Sequence, residues 1–266
     1  MRKSAFIIPI FSIFAGAAAF YLRTEELQSV FDPHTGLPAR GAFITSSLIA
    51  LSVFFLLVLA MFSIIAAIRY RSPKKVGNAF GISSVAYPLI FILLGVIWIC
   101  GTFIHLLNLI RSEALDDIGL IFCVVSVLAA LCVSLCAIYI YKDPNRRSPY
   151  VLCIVPIVFM CLWLVLLYRE NAANPILISY VYRCLAIAAV ALGFYYTSGF
   201  IYEAPSPGKA IVAYGSSIYF CIVSLADNLG VGTGLIFCSY IIISVIHLAM
   251  LLRRLTPKRR NVQNDS

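Results

Sequence analysis

Eight stretches of eighteen or more predominantly apolar residues follow one another along the chain, near 5–22, 42–68, 81–110, 118–141, 150–168, 175–202, 209–226 and 229–252. A run of that length matches the hydrocarbon thickness of a bilayer when it is helical. In lipid the backbone must satisfy its own hydrogen bonds, which leaves helices or a closed barrel. A barrel needs short alternating strands, and the runs are too long and too uniformly apolar for that. With 62% hydrophobic and 12% charged residues over 266 positions, and a mean hydropathy of +0.98, a soluble fold is excluded. The expected fold is all-α: a polytopic transmembrane helix bundle forming a single domain over 1–252, followed by a basic tail, 253–266. The connections are too short for a soluble catalytic or nucleotide-binding domain.

Basic residues set the orientation. Fifteen of the twenty Lys and Arg fall on one side: Arg2 and Lys3, Arg69 to Lys75, Lys142 to Arg147, Lys209, and Arg253 to Arg260. Arg23, Arg40, Arg111 and Arg169 fall on the other, together with eight of the eleven acids. Both termini are therefore expected in the cytoplasm (N-in/C-in). The net charge of +9 comes from those loops and that tail. It points to the lipid bilayer and anionic headgroups as partners, and needs no nucleic acid. Residues 1–22 also read as a signal peptide, with Ala17-Ala18-Ala19 as the cleavage site; removal would leave seven spans.

Arg183 is the one charge placed well inside an expected span; Lys209 only opens its own. An arginine at a helix centre costs roughly 3 kcal/mol on insertion scales, so it faces a partner or a water-filled cavity. Counted from Pro175, it lies about 12 Å below the start of its span. Asp116, Asp117, Glu170 and Asp227 are the carboxylates within reach. Three roles fit: a structural ion pair with one of these acids, an outward-open pocket in which Arg183 takes an anionic or polar ligand with Tyr180, neighbouring tyrosines and Asn108 as walls, or snorkelling to headgroups.

No catalytic or metal-binding set emerges. All nine cysteines fall in apolar runs without a C-x-x-C, and Cys132 and Cys136 share a helix face; the reading is reduced, structural thiols. Gly215-Ser216-Ser217 lacks an assignable base. His105 and His247 fall in opposite leaflets, too far apart to share a haem or metal. Glu25, Glu26, Asp32 and His34 lie in an outer loop, 23–41, whose spacing matches no ligand pattern. No Walker A motif occurs, and no cofactor is implied. Pro88 is expected to kink the third span, and Gly230, Gly232 and Gly234 to allow close helix approach in the eighth.

Pro156, Trp163-Leu164, Tyr168-Arg169-Glu170-Asn171, Asn174-Pro175, Tyr180, Tyr195-Tyr196 and Gly199-Phe200, with Phe31-Asp32 and Thr35-Gly36-Leu37, resemble a multi-span membrane family of clostridial-type Firmicutes that has no assigned activity. The resemblance implies a bacterial cytoplasmic membrane location and no chemistry. The functional expectation is a non-enzymatic protein that binds a small ligand or moves a solute through the cavity around Arg183. The alternative is a membrane subunit of an ATPase-driven transporter or signalling complex, docking a protein partner through its basic loops.

Overall fold

Apolar runs of this length become helices in the computed structural model, which describes residues 6–31, 43–71, 79–80, 84–113, 116–142, 150–172, 180–202 and 204–257. Eight long helices are described: α1 (Ile7–Ser29), α2 (Phe43–Arg69), α3 (Ala86–Arg111), α4 (Asp117–Lys142), α5 (Tyr150–Asn171), α6 (Val181–Ile201), α7 (Pro207–Ser224) and α8 (Val231–Arg254). Seven of them are long and apolar enough to cross a membrane, which makes this a multi-pass membrane protein. The eighth, α7, is shorter and more polar because it is the most enclosed: α1, α2, α6 and α8 all pack on it. At 1.5 Å per residue its 18 residues still extend about 27 Å.

Six of the helices close a ring. Each of α3 to α8 packs on the next, and α8 returns to α3; α1 and α2 lie outside against α7. The helix ends fall into two sets. Every described acid is at one end (Glu25, Glu26, Glu113, Asp116, Asp117, Glu170, Asp227), while Arg69, Lys142, Lys209, Arg253 and Arg254 are at the other. At the basic end Tyr70–Arg71 (β1) pairs antiparallel with Thr256–Pro257 (β2), tying the exits of α2 and α8 together.

Small residues and hydroxyls hold the seams, as expected where lipid competes equally for apolar surface. A Cβ on Gly232 would fall 2.5 Å from the Gly101 carbonyl oxygen, so α3 and α8 cross almost backbone to backbone, whereas Gly234 has nothing within 4 Å. Ser217 and Ser244 share a hydrogen bond between α7 and α8 at 2.8 Å, and Ser52 and Tyr219 share one between α2 and α7 at 2.9 Å. Ser134 donates to the Phe91 carbonyl at 3.2 Å, linking α4 to α3. The lipid-facing surface is apolar: Phe54, Leu57, Met61, Ile64 and Ile68 of α2 are all exposed.

Several boundaries differ from those read in the sequence. Span one was expected to stop at Leu22, but α1 runs on through Arg23 to Ser29, and a cut after Ala19 would split it. The sixth helix begins at Val181 after Tyr180, which places Arg183 in its first turn rather than eight residues inside. Pro88 is the third residue of α3, where a missing N–H breaks no helical bond, so no kink is needed. Arg2, Lys3, Asp32, His34, Arg40, Lys74, Lys75, Arg146, Arg147, Asn174, Pro175, Glu203 and the tail from Lys258 lie outside the described residues.

Candidate functional site

Arg23 is fully buried, with 0% of its side chain exposed, as is its neighbour Glu26, whereas the Arg183 side chain is 29% exposed. Arg23 Nε donates to Asp227 Oδ1 at 2.7 Å, and its Nη1 donates to Glu26 Oε2 at 2.7 Å. Its guanidinium carbon lies 5.2 Å from the centre of the Tyr182 ring. Arg183 Nε approaches the second Asp227 oxygen, Oδ2, at 3.9 Å. Among the described residues two arginines and two carboxylates thus meet, joining α1, α6 and the α7–α8 turn. Burial pushes the Asp227 carboxyl above the usual aspartate range, while Arg23 and then Arg183 pull it back.

Arg183 also faces the other way. It lines a cavity of about 460 Å³ at the acidic end of the six-helix ring. Polar groups at its wall include His105, Arg169, Glu170, Asn228 and Thr233; Phe122, Trp163 and Phe237 give it an aromatic floor. That floor is stacked edge to face: Trp163 lies 5.4 Å from both Phe122 and Phe237, centre to centre. Beneath it Trp98 meets Tyr240 at 4.8 Å and donates through Nε1 to Ser126 at 2.9 Å. Two further cavities deeper in the bundle, beside Tyr214 and His247, are of only about 20 and 10 Å³.

Of the residues expected around Arg183, the structure brings Asp227, Glu170 and Asp116 to the site. Glu170 shares the cavity wall with Arg183 and feels its charge. Asp116 is at the rim, but its partner is Arg169 at 3.0 Å, in an exposed pair. Its Oδ1 accepts the Gly119 N–H at 2.7 Å, an N-cap for α4. That hydrogen bond, with Arg169 adding to it, holds the Asp116 carboxyl below its ordinary value. Asp117 is exposed on the first turn of α4 and does not line the cavity. Asn108 is exposed beside Gly230, outside the wall. Tyr180 is buried and likewise absent from the wall, and Tyr182 lies under Arg23. The walls expected from tyrosines are instead phenylalanine and tryptophan.

Two further clusters lie deeper. Cys136 of α4 and Cys153 of α5 are free thiols with their sulfurs 3.3 Å apart, so Cys136 faces a different helix rather than Cys132 alone. His247 is buried among Phe80, Phe91 and Tyr214, each about 5.2–5.4 Å away, far from His105 at the cavity. Among the described residues no group of three metal-ligating side chains comes together. No family model, curated protein or solved structure matches this chain.

Proposed function

We propose that this is a multi-pass protein of the bacterial cytoplasmic membrane that binds a small amphiphilic anion in an outward-facing cavity, with Arg183 taking the charged group. The observation that carries the reading is the cavity itself: about 460 Å³, entered through charged and polar groups and floored by Phe122, Trp163 and Phe237. Ligand sites have this composition, a few convergent polar groups on a mostly apolar wall. Arg183 supplies a planar fork suited to a carboxylate, and the aromatic floor suits an apolar body. The clustering of basic residues at the opposite end supports the outward orientation and contact of that end with anionic headgroups. Solute movement through the ring requires the aromatic floor to part, so binding is the property of this closed form.

The experiment is ligand titration of the protein in lipid nanodiscs, read from Trp163 fluorescence in a Trp98→Phe background. A panel of aromatic and aliphatic monocarboxylates, amino acids and phosphate esters is compared. Carboxylates with an apolar body should bind best. Arg183→Met should weaken them about 10- to 100-fold, the worth of a charged hydrogen bond. Equal response to neutral amides of the same shape would refute the anion reading.

A further inference from the structure

The two oxygens of Asp227 are held differently. Oδ1 accepts a 2.7 Å hydrogen bond from Arg23, a residue with no exposed side-chain surface. Oδ2 makes no hydrogen bond among the described residues, and neither does the Arg183 Nε that faces it at 3.9 Å. At that separation the attraction is coulombic rather than a hydrogen bond. The smaller part of the compensation of a buried carboxylate therefore rests on an arginine that also lines the cavity. From these contacts we infer that Asp227 is a proton-binding site coupled to the cavity: an anion held by Arg183 leaves Asp227 without its second counter-charge, and the carboxylate takes up one proton.

This rests on the ligand reading of the cavity and gives it a co-substrate. The balance is simple: the bound anion brings one negative charge, the proton brings one positive charge, and the cluster of Arg23, Glu26, Asp227 and Arg183 gains no net charge. An unbalanced charge in a low-dielectric site is the costly alternative. The groups facing Asp227 all act in known directions. From α1, Arg23 favours the ionised form and Glu26 opposes it. From α6, Arg183 favours the ionised form and Tyr182 lies beside the Arg23 guanidinium. Glu170 of α5 and His105 of α3 stand across the cavity, and the first turns of α8 carry no titratable group. Removing the Arg183 charge leaves desolvation and Glu26 opposed by Arg23 alone, so protonation moves to higher pH. Linkage then requires anion affinity to rise as pH falls.

The test separates the coupling from the ligand reading. Infrared difference spectra of nanodisc samples follow the protonated carboxyl band, assigned to Asp227 by its loss in Asp227→Asn. Arg183→Met, which imitates a neutralised arginine without any ligand, should raise the protonation midpoint by about one pH unit, a tenfold change. Arg183→Lys, which keeps the charge, should stay near the wild-type midpoint and guards against a misfolded Met variant. Should Arg183→Met not fold, wild-type protein saturated with benzoate carries the same measurement. A midpoint that is the same with and without the Arg183 charge overturns the coupling. Benzoate that leaves Trp163 fluorescence unchanged overturns the anion reading instead, while the Arg183→Met midpoint still decides whether the two residues are coupled.

Discussion

Arg23 Nε lies 2.7 Å from Asp227 Oδ1 across 204 positions of sequence. This contact pins α1, which is outside the six-helix ring, to the turn between α7 and α8, where the cavity wall begins. The same carboxylate reaches toward Arg183, so helix docking and the candidate ligand site share one side chain.

Loss of Arg23 should therefore be expensive. Arg23→Met leaves Asp227 and Glu26 buried with a deficit of positive charge, at a cost of about 3–5 kcal/mol. Thermal unfolding in detergent should show that loss. Arg23→Met combined with Glu26→Gln and Asp227→Asn should recover most of it, because the fully buried part of the cluster is then neutral and only Arg183, 29% exposed, keeps its charge. A triple variant whose loss equals the sum of three independent penalties would contradict a shared cluster.

The α3–α8 seam admits a test with an internal control. A Cβ at Gly232 would overlap the Gly101 carbonyl oxygen at 2.5 Å, while Gly234, two positions on, meets nothing within 4 Å. Gly232→Ala should lower stability by about 1–3 kcal/mol, the usual range for overpacking. Gly234→Ala should leave the melting temperature unchanged or raise it slightly. Equal effects at the two positions would argue against the close crossing.

Cys136 and Cys153 are close enough to trap. Alkylation of denatured, non-reduced protein should count nine free thiols in freshly prepared material. A mild oxidant such as copper phenanthroline should then remove two of them, and Cys136→Ser should abolish the loss. Peptide mapping that joins Cys136 to a helix other than α5 would contradict the packing of α4 on α5.

Asp116 gives a pH signature at the rim. Its carboxyl is held below the ordinary aspartate value by the Gly119 N–H and by Arg169. The lowered value means that its contribution is fully present above the unfolded-state pKa and is lost as pH falls through the folded one. Isotope-edited spectra should place the Asp116 midpoint below that of a free aspartate. Asp116→Asn should flatten the acid-side dependence of stability without altering the neutral plateau's slope.

Orientation can be read with a membrane-impermeant thiol label in a background without reactive native cysteines. Cysteine at position 113, exposed just beyond α3 at the acidic end, should be labelled in intact cells. Cysteine at position 254 should be labelled only after the membrane is opened. The reverse pattern would turn the cavity toward the cytoplasm and remove the outward-facing reading.

The eight helices were legible because each apolar run is long and each gap short, and the ends sorted correctly because charge marks them. Arg183 was legible as an unusual charge, but its depth was not, since the helix starts at Val181 rather than Pro175. Arg23 was missed because hydropathy falls at Arg23-Thr24-Glu25-Glu26, which reads as a loop. The overlooked signal was periodicity: Ser12, Gly16, Ala19, Arg23 and Glu26 are all buried and repeat every three or four residues, one stripe that continues past the apolar run. Asp227 as its partner could not be read, because nothing local in the sequence pairs two turns so far apart. The aromatic floor was equally hidden: Phe122, Trp163 and Phe237 belong to three helices and look like ordinary apolar residues in each.

The spacing of the buried charges also bears on how the chain is made. Synthesis at roughly 5–20 residues per second puts Asp227 about 10–40 s behind Arg23. During that interval the first helix enters the membrane with an arginine whose distant partner does not yet exist. Glu26, three residues away and one helical turn along, emerges almost at once and is already placed for a 2.7 Å contact. The i, i+3 spacing thus supplies Arg23 with a counter-charge from its own helix before Asp227 is made. A Glu26→Gln protein should accordingly suffer more in insertion yield and turnover during synthesis than in the stability of the finished bundle.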